Sequence, residues 1–188
     1  MPSHVLGSEL SIISLGDTPK KAEQRACLAL KAKLELNCKI ALPGPLPESA
    51  FDQVREQYDA LKLLASIEDM FPIPNASKGR GNERKILAIT SVDLFIPVLT
   101  FVFGAARLGG RSAIISAYRL YEEFYGRPQD NELLLSRIEK EAIHEVGHLL
   151  DLTHCLDRNC VMHASNCLAD TDVKSTGFCP RCHSLLAC

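Results

Sequence analysis

Short apolar runs alternate with helical patterning over the first half of the chain. Leu10 to Leu15 (Leu-Ser-Ile-Ile-Ser-Leu) is an apolar run closed by Gly16, which predicts a strand. Thr18-Pro19 offers an N-cap followed by proline at the first helical position, opening a helix that reaches about Leu36. Cys38 to Leu42 reads as a second strand, ended by Pro43, Gly44, Pro45 and Pro47. Ser49 then caps a second predicted helix to about Ile67, with Phe51, Val54, Tyr58, Leu61 and Ala65 at three- and four-residue spacing. Residues 72–83 form a loop rich in Pro, Gly and Asn.

Three further strands are predicted: residues 85–90, a run around residues 99–106, and residues 112–118 after the Gly109-Gly110 turn. Strand–helix–strand–helix–strand order predicts an α/β (α+β) sheet, parallel at first. The tight Gly-Gly link makes the last two strands neighbours, with at least one antiparallel. Residues 131–152 carry the strongest helical period: Leu135, Ile138, Ala142, Val146 and Leu149 face the core, while Glu141, His144 and His148 share another face. From Asp151 onward the periodicity fades, and bound metal is expected to order what few apolar side chains cannot.

Composition adds one unusual feature. The chain has 188 residues, 46% hydrophobic and 23% charged, with a net charge of −2, which suits one domain and gives no reason to expect nucleic acid or an anionic membrane as partner. It carries eight cysteines, six of them within residues 155–188. No secretory signal is visible in Met1-Pro-Ser-His-Val-Leu-Gly-Ser, and no apolar run reaches the roughly 18 residues of a membrane span. The expected compartment is therefore the reducing cytoplasm, where clustered cysteines favour metal over disulfides.

Residues 144–154 read His-Glu-Val-Gly-His-Leu-Leu-Asp-Leu-Thr-His. His144 and His148, four apart on a helix, can reach one ion, and Glu145 is offset by about a third of a turn, in reach of a water there. His154 joins them only if the chain turns, and Asp151, a residue that tolerates the left-handed conformation, stands where that turn belongs. Three histidines and one vacant position meet the requirement of catalytic zinc, which lowers the pKa of its bound water to about 7. Glu145 then serves as general base. Chance spacing of surface histidines is the alternative, and the third histidine argues against it.

Cys155, Cys160, Cys179 and Cys182 have the spacing C-x4-C…C-x2-C, a pattern for a closed, structural zinc site that also fixes the adjacent His154. A redox Cys-x-x-Cys or two disulfides are the competing readings. Cys27, Cys38, Cys167 and Cys188 read as buried or free thiols, and His163 and His183 as non-ligating.

Together these residues resemble the metzincin zinc peptidases. With Cys155-x4-Cys160-Val-Met162…Cys179-x2-Cys182 the likeness narrows to the archaemetzincins. Asp93-Leu-Phe-Ile-Pro, Phe101-Val-Phe-Gly, Ala113-Ile-Ile-Ser and Arg119-Leu120 extend it upstream, so that it covers residues from about 85 to 182. Asp151 departs from the pattern, standing where metzincins usually have glycine.

The resemblance implies a twisted mixed β-sheet with a backing helix and an active-site helix, plus a small zinc-stapled C-terminal lobe. One catalytic domain spans 1–188, its upper lobe about 1–150 and its lower lobe about 151–188. The implied function is that of a zinc metallopeptidase with two zinc ions: His144, His148 and His154 on the catalytic one, Glu145 as base, the four cysteines on the structural one, and Met162 in a turn beneath the metal. The implied substrate is a peptide or protein lying along the edge at residues 101–107, and the chain is expected to act as a monomer. A catalytically silent, zinc-stabilised binding protein is the alternative, disfavoured by the intact Glu145.

Overall fold

The computed structural model describes residues 9–72 and 84–186; Cys188 and most of the 72–83 loop lie outside them. In chain order the elements are β1 (Glu9–Leu15), α1 (Ala22–Leu34), β2 (Asn37–Ile40), β3 (Phe51–Asp52), β4 (Gln57–Asp59), α2 (Ala60–Met70), β5 (Lys85–Thr90), β6 (Leu94–Phe95), β7 (Gly104–Ala106), β8 (Ser112–Ser116), α3 (Asn131–Leu149), α4 (Leu168–Val173) and α5 (Pro180–Leu186). Five strands form the main sheet in the order β2-β1-β5-β8-β7, and β3-β4-β6 form a smaller one. The main sheet is mixed: β1, β2, β5 and β8 are parallel, and β7 runs antiparallel to β8 at one edge.

The apolar runs of β1, β5 and β8 follow from burial on both faces. Leu10, Ile12, Leu87, Ile89, Ala113 and Ile115 pack with α1 and α3, while Ile13, Leu15, Ile86, Ala88 and Ile114 pack with α2. Among the described residues no helix is long and apolar enough to cross a membrane.

Four local expectations need correction. Helix α1 begins at Ala22 after Lys21, whose φ is 68°, and Thr18 does not cap it but donates its hydroxyl to Glu23 Oε1 at 3.1 Å. The helix expected from Ser49 is a 3-10 turn (Glu48–Ala50), then the β3–β4 hairpin, then α2. Its apparent apolar stripe is exposed: Val54 stands at a hairpin tip, and Phe51, Leu61 and Ala65 face out, while Leu63, Leu64 and Ile67 make the core. The real cap is Asp59, whose Oδ1 accepts from the backbone N–H of Leu61 at 2.9 Å and of Lys62 at 3.3 Å. The strand expected around residues 99–106 shortens to Gly104–Ala106. The C-terminal segment holds two short helices, and Cys179-Pro-Arg-Cys182 leads into α5 rather than forming a hairpin.

Candidate metal centre and active site

Helix α3 carries the first part of the site. Asp130 caps it, its Oδ1 accepting from Leu133 N at 2.9 Å, and the five predicted core positions are buried. At its other end the chain leaves through a Schellman turn. Asp151, with φ 65°, is the left-handed residue; its N–H donates to the His148 carbonyl at 3.1 Å, and the Leu152 N–H to the Gly147 carbonyl at 3.0 Å. Lys85 Nζ donates to the terminal Leu149 carbonyl at 2.8 Å and to Gly110 O at 3.0 Å. This reversal is the turn that the spacing of His154 demanded.

As a result the three imidazoles converge. Ring centroids are separated by 4.7 Å (His144–His148), 5.3 Å (His144–His154) and 4.9 Å (His148–His154). One ligand atom from each lies within 4.8 Å of the others. His144 Nδ1 donates to Val161 O at 2.8 Å and His148 Nδ1 to Leu152 O at 2.7 Å, which leaves each Nε2 lone pair turned inward, the two 3.2 Å apart. Burial lowers the proton affinity of His144 far below the ordinary imidazole value, and does the same less strongly for His148 and His154. Neutral imidazoles are the form that binds a cation. His144 is buried, His148 half-buried and His154 exposed, so the cluster opens toward solvent on the His154 side.

Glu145 is buried beside the cluster and lies against Gly104 at the edge of the main sheet. Burial raises its carboxyl well above the usual range, and the charge of Glu141 adds to the effect. Met162 is fully buried, and its Sδ lies over Gly147, where a Cβ would come within 2.5 Å of it. The glycine inside the His-Glu-Val-Gly-His run is therefore required for the methionine to seat under the helix.

The four cysteines form a second cluster, again with one sulfur each within 4.8 Å of the others. Cys155 Sγ is 3.7 Å from Cys179 Sγ, and backbone N–H groups of Cys179 and Cys182 point at the sulfurs of Cys160 (3.3 Å) and Cys179 (3.5 Å). The Cys182 N–H chiefly draws the Cys179 thiol down to about 7, whereas burial pushes Cys160 and Cys182 up. All four are unbridged, as are Cys27, Cys38 and Cys167. Cys38 is buried, its thiol pushed up to about 12, and Cys167 caps α4 together with Asp170. His163 is outside both clusters, its Nδ1 bonded to Cys155 O at 2.9 Å. Cys155 N donates to Met162 O at 2.9 Å, so the two clusters share backbone.

Sequence reasoning assigned no role to four residues around the site. Gly104 and Gly147 carry no chemistry and signal only through what packs on them. Glu141 and Lys174 form a buried ion pair between segments 33 residues apart, a pairing that no local spacing reveals.

Peptidase family M54 matches residues 23–187 of the chain. An archaemetzincin of Thermococcus kodakarensis is 49% identical over 138 residues, 73% of this chain and 70% of that one. The crystal structure of archaemetzincin from Methanopyrus kandleri superposes with a TM-score of 0.80 at 37% identity, covering 95% of this chain and 93% of that one. A zinc-dependent peptidase from Methanocorpusculum labreanum gives 0.82 at 35% identity, covering 94% and 99%. The chain belongs to peptidase family M54, the archaemetzincins, and is a zinc metallopeptidase of the metzincin type.

Proposed function

We propose that His144, His148 and His154 hold the catalytic zinc and that Glu145 is the general base for peptide-bond hydrolysis. The observation that carries this reading is the inward convergence of three imidazole nitrogens, with two Nδ1 atoms occupied by carbonyls, beside one buried carboxylate. Zinc held there supplies Lewis acidity toward a scissile carbonyl and toward an attacking water. Glu145 takes the proton of that water and returns it to the leaving amine. The raised proton affinity that burial gives Glu145 suits a group that must accept a proton and then release it.

The substrate is a peptide or protein that pairs with β7. Arg107 N donates to Ser112 O and Ser116 N to Phe103 O, so Phe103 and Arg107 aim their main-chain groups at β8. By strand alternation Gly104 and Ala106 aim theirs at the open edge, directly above Glu145. The edge expected at residues 101–107 thus contracts to two pairing residues.

The four cysteines hold a second, structural zinc, which brings the count to two ions per chain. Residues 1–188 act as one catalytic domain, the upper lobe about 1–150 and the lower about 151–188, working as a cytoplasmic monomer without nucleic-acid or membrane partners. The near-balanced charge and thiol-rich composition of the sequence support this last part. Digestion of a peptide library by the wild type and by Glu145→Ala tests the mechanism. Hydrolysis should disappear in the variant while both ions stay; equal hydrolysis by the two would overturn the role of Glu145. Peptide binding without hydrolysis by the wild type would favour the silent binding protein.

A further inference from the structure

Glu141 lies one helical turn before Glu145 on α3, and Lys174 directly follows α4. Both side chains are buried, at 3% and 0% exposure, and Lys174 Nζ is 2.9 Å from Glu141 Oε1. Thr171 Oγ1 donates to the same oxygen at 3.1 Å and Ser165 Oγ at 3.4 Å, while Nζ also donates to His163 O at 3.4 Å. Desolvating two charges is expensive, and an apolar pair of similar volume would pack as well or better. Nor is the pair needed to join the elements. Arg137 already grips Asp172 with two bonds, and Lys140 donates to Thr171 O and Asp172 O.

What distinguishes this pair is its position beside the metal cluster. Glu141 stands three residues before His144 and four before Glu145 on α3, so the buried pair lies within one helical turn of the first histidine and of the carboxylate beside it. An unpaired Glu141 would place a second buried negative charge on the Glu145 face of the helix, within a turn of His144.

We propose that Lys174 is a positioning residue for the peptidase centre: it holds Glu141 in a neutralised pair, leaves Glu145 as the carboxylate free to act, and balances the field at the three imidazoles. The inference rests on the reading of His144, His148 and His154 as metal ligands.

The test uses the full-length cobalt-substituted holoprotein titrated with dipicolinate. Both clusters give visible d–d bands with cobalt, so the histidine site is read as the difference between each protein and its His154→Ala counterpart, and thiolate-to-cobalt charge transfer reports the cysteine site. Lys174→Met should make cobalt at the histidine site about tenfold harder to remove, and Glu141→Gln about tenfold easier, the order of effect of one nearby charge at partial burial. The double variant should return to within about threefold of the wild type. Shifts of the same sign in both single variants, as a merely structural contact would give, or no shift in either, overturn the proposal. If Lys174→Met does not fold, Glu141→Gln and the double variant still differ only at residue 174, and the double variant must hold cobalt more tightly. A wild type without a d–d band that His154→Ala abolishes would instead refute the ligand assignment, so the two failures are separable.

Discussion

Gly104 has no side chain, and the place where its Cβ would stand is 2.6 Å from Glu145 Oε1. The proposed base therefore reaches the edge of the main sheet because that one position is empty. Gly104→Ala should push the Glu145 carboxylate aside and lower kcat by about 10- to 100-fold, since displacements near 1 Å have effects of that order. Zinc content and melting temperature should stay close to those of the wild type. Unchanged kcat on a peptide substrate would show that Glu145 does not need this seat. Asp151 is the complementary case, a residue with a side chain in the left-handed region where the metzincin resemblance implies glycine. Its turn is intact, with both Schellman bonds made, so the departure from the family pattern leaves the backbone that delivers His154 in place. Asp151→Val should destabilise the fold by about 1 kcal/mol in denaturant melts, because a branched side chain tolerates this conformation worse than Asp.

Helix α3 is held at its middle by Arg137, whose side chain is 1% exposed. Its guanidinium grips Asp172 Oδ1 and Oδ2 at 2.7 and 2.8 Å, pairs with Glu122 Oε1 at 2.6 Å and donates to Leu120 O at 2.8 Å. The active-site helix is thus tied to the turn after β8 and to α4 at once. Arg137→Met should destabilise by roughly 2–3 kcal/mol, below the range for a fully buried pair because Asp172 is partly exposed. The same clamp gives a pH dependence. The hydrogen bond from Arg137 holds the Glu122 carboxyl below its ordinary value of 4.5. A carboxyl lowered in the folded state contributes stability that is complete above the ordinary value and is lost as pH falls through the folded one. Melting temperature should therefore begin to drop below about pH 4.5, and Glu122→Gln should flatten that slope; a slope unaltered by the substitution would remove Glu122 from the account. These long-range ties explain what the sequence could reveal and what it could not. Strands β1, β5 and β8 and helix α3 were legible because each buries a continuous pattern of its own. The stretch after Ser49 misled because Phe51, Val54 and Leu61 happen to fall at helical spacing, while a hairpin closed by long-range pairing of Tyr58 with Leu94 wins instead. Likewise the two clusters were legible as His and Cys spacings, but the contacts of Gly104 with Glu145 and of Glu141 with Lys174 join residues distant in sequence.

The C-terminal segment joins the two clusters through His154-Cys155, through the Cys155 N–H bond to Met162 O, and through Val161, whose carbonyl accepts from His144 Nδ1 and whose N–H donates to Gly177 O. Metal at the cysteines should for this reason support the histidine site. Cys179→Ser should speed hydrogen exchange across residues 155–186 and loosen zinc at the histidines; unchanged exchange and zinc content would deny the cysteines a structural role. The fold offers the complementary half, a mixed sheet ending in β7 with its free edge over Glu145. Under the proposed function, a peptide pairing with this edge would lie extended beside Glu145. The most direct test of this account is the metal content of the purified chain by native mass spectrometry. Two zinc ions per chain are predicted, falling to one in His148→Ala; a wild type that carries one or none would contradict it.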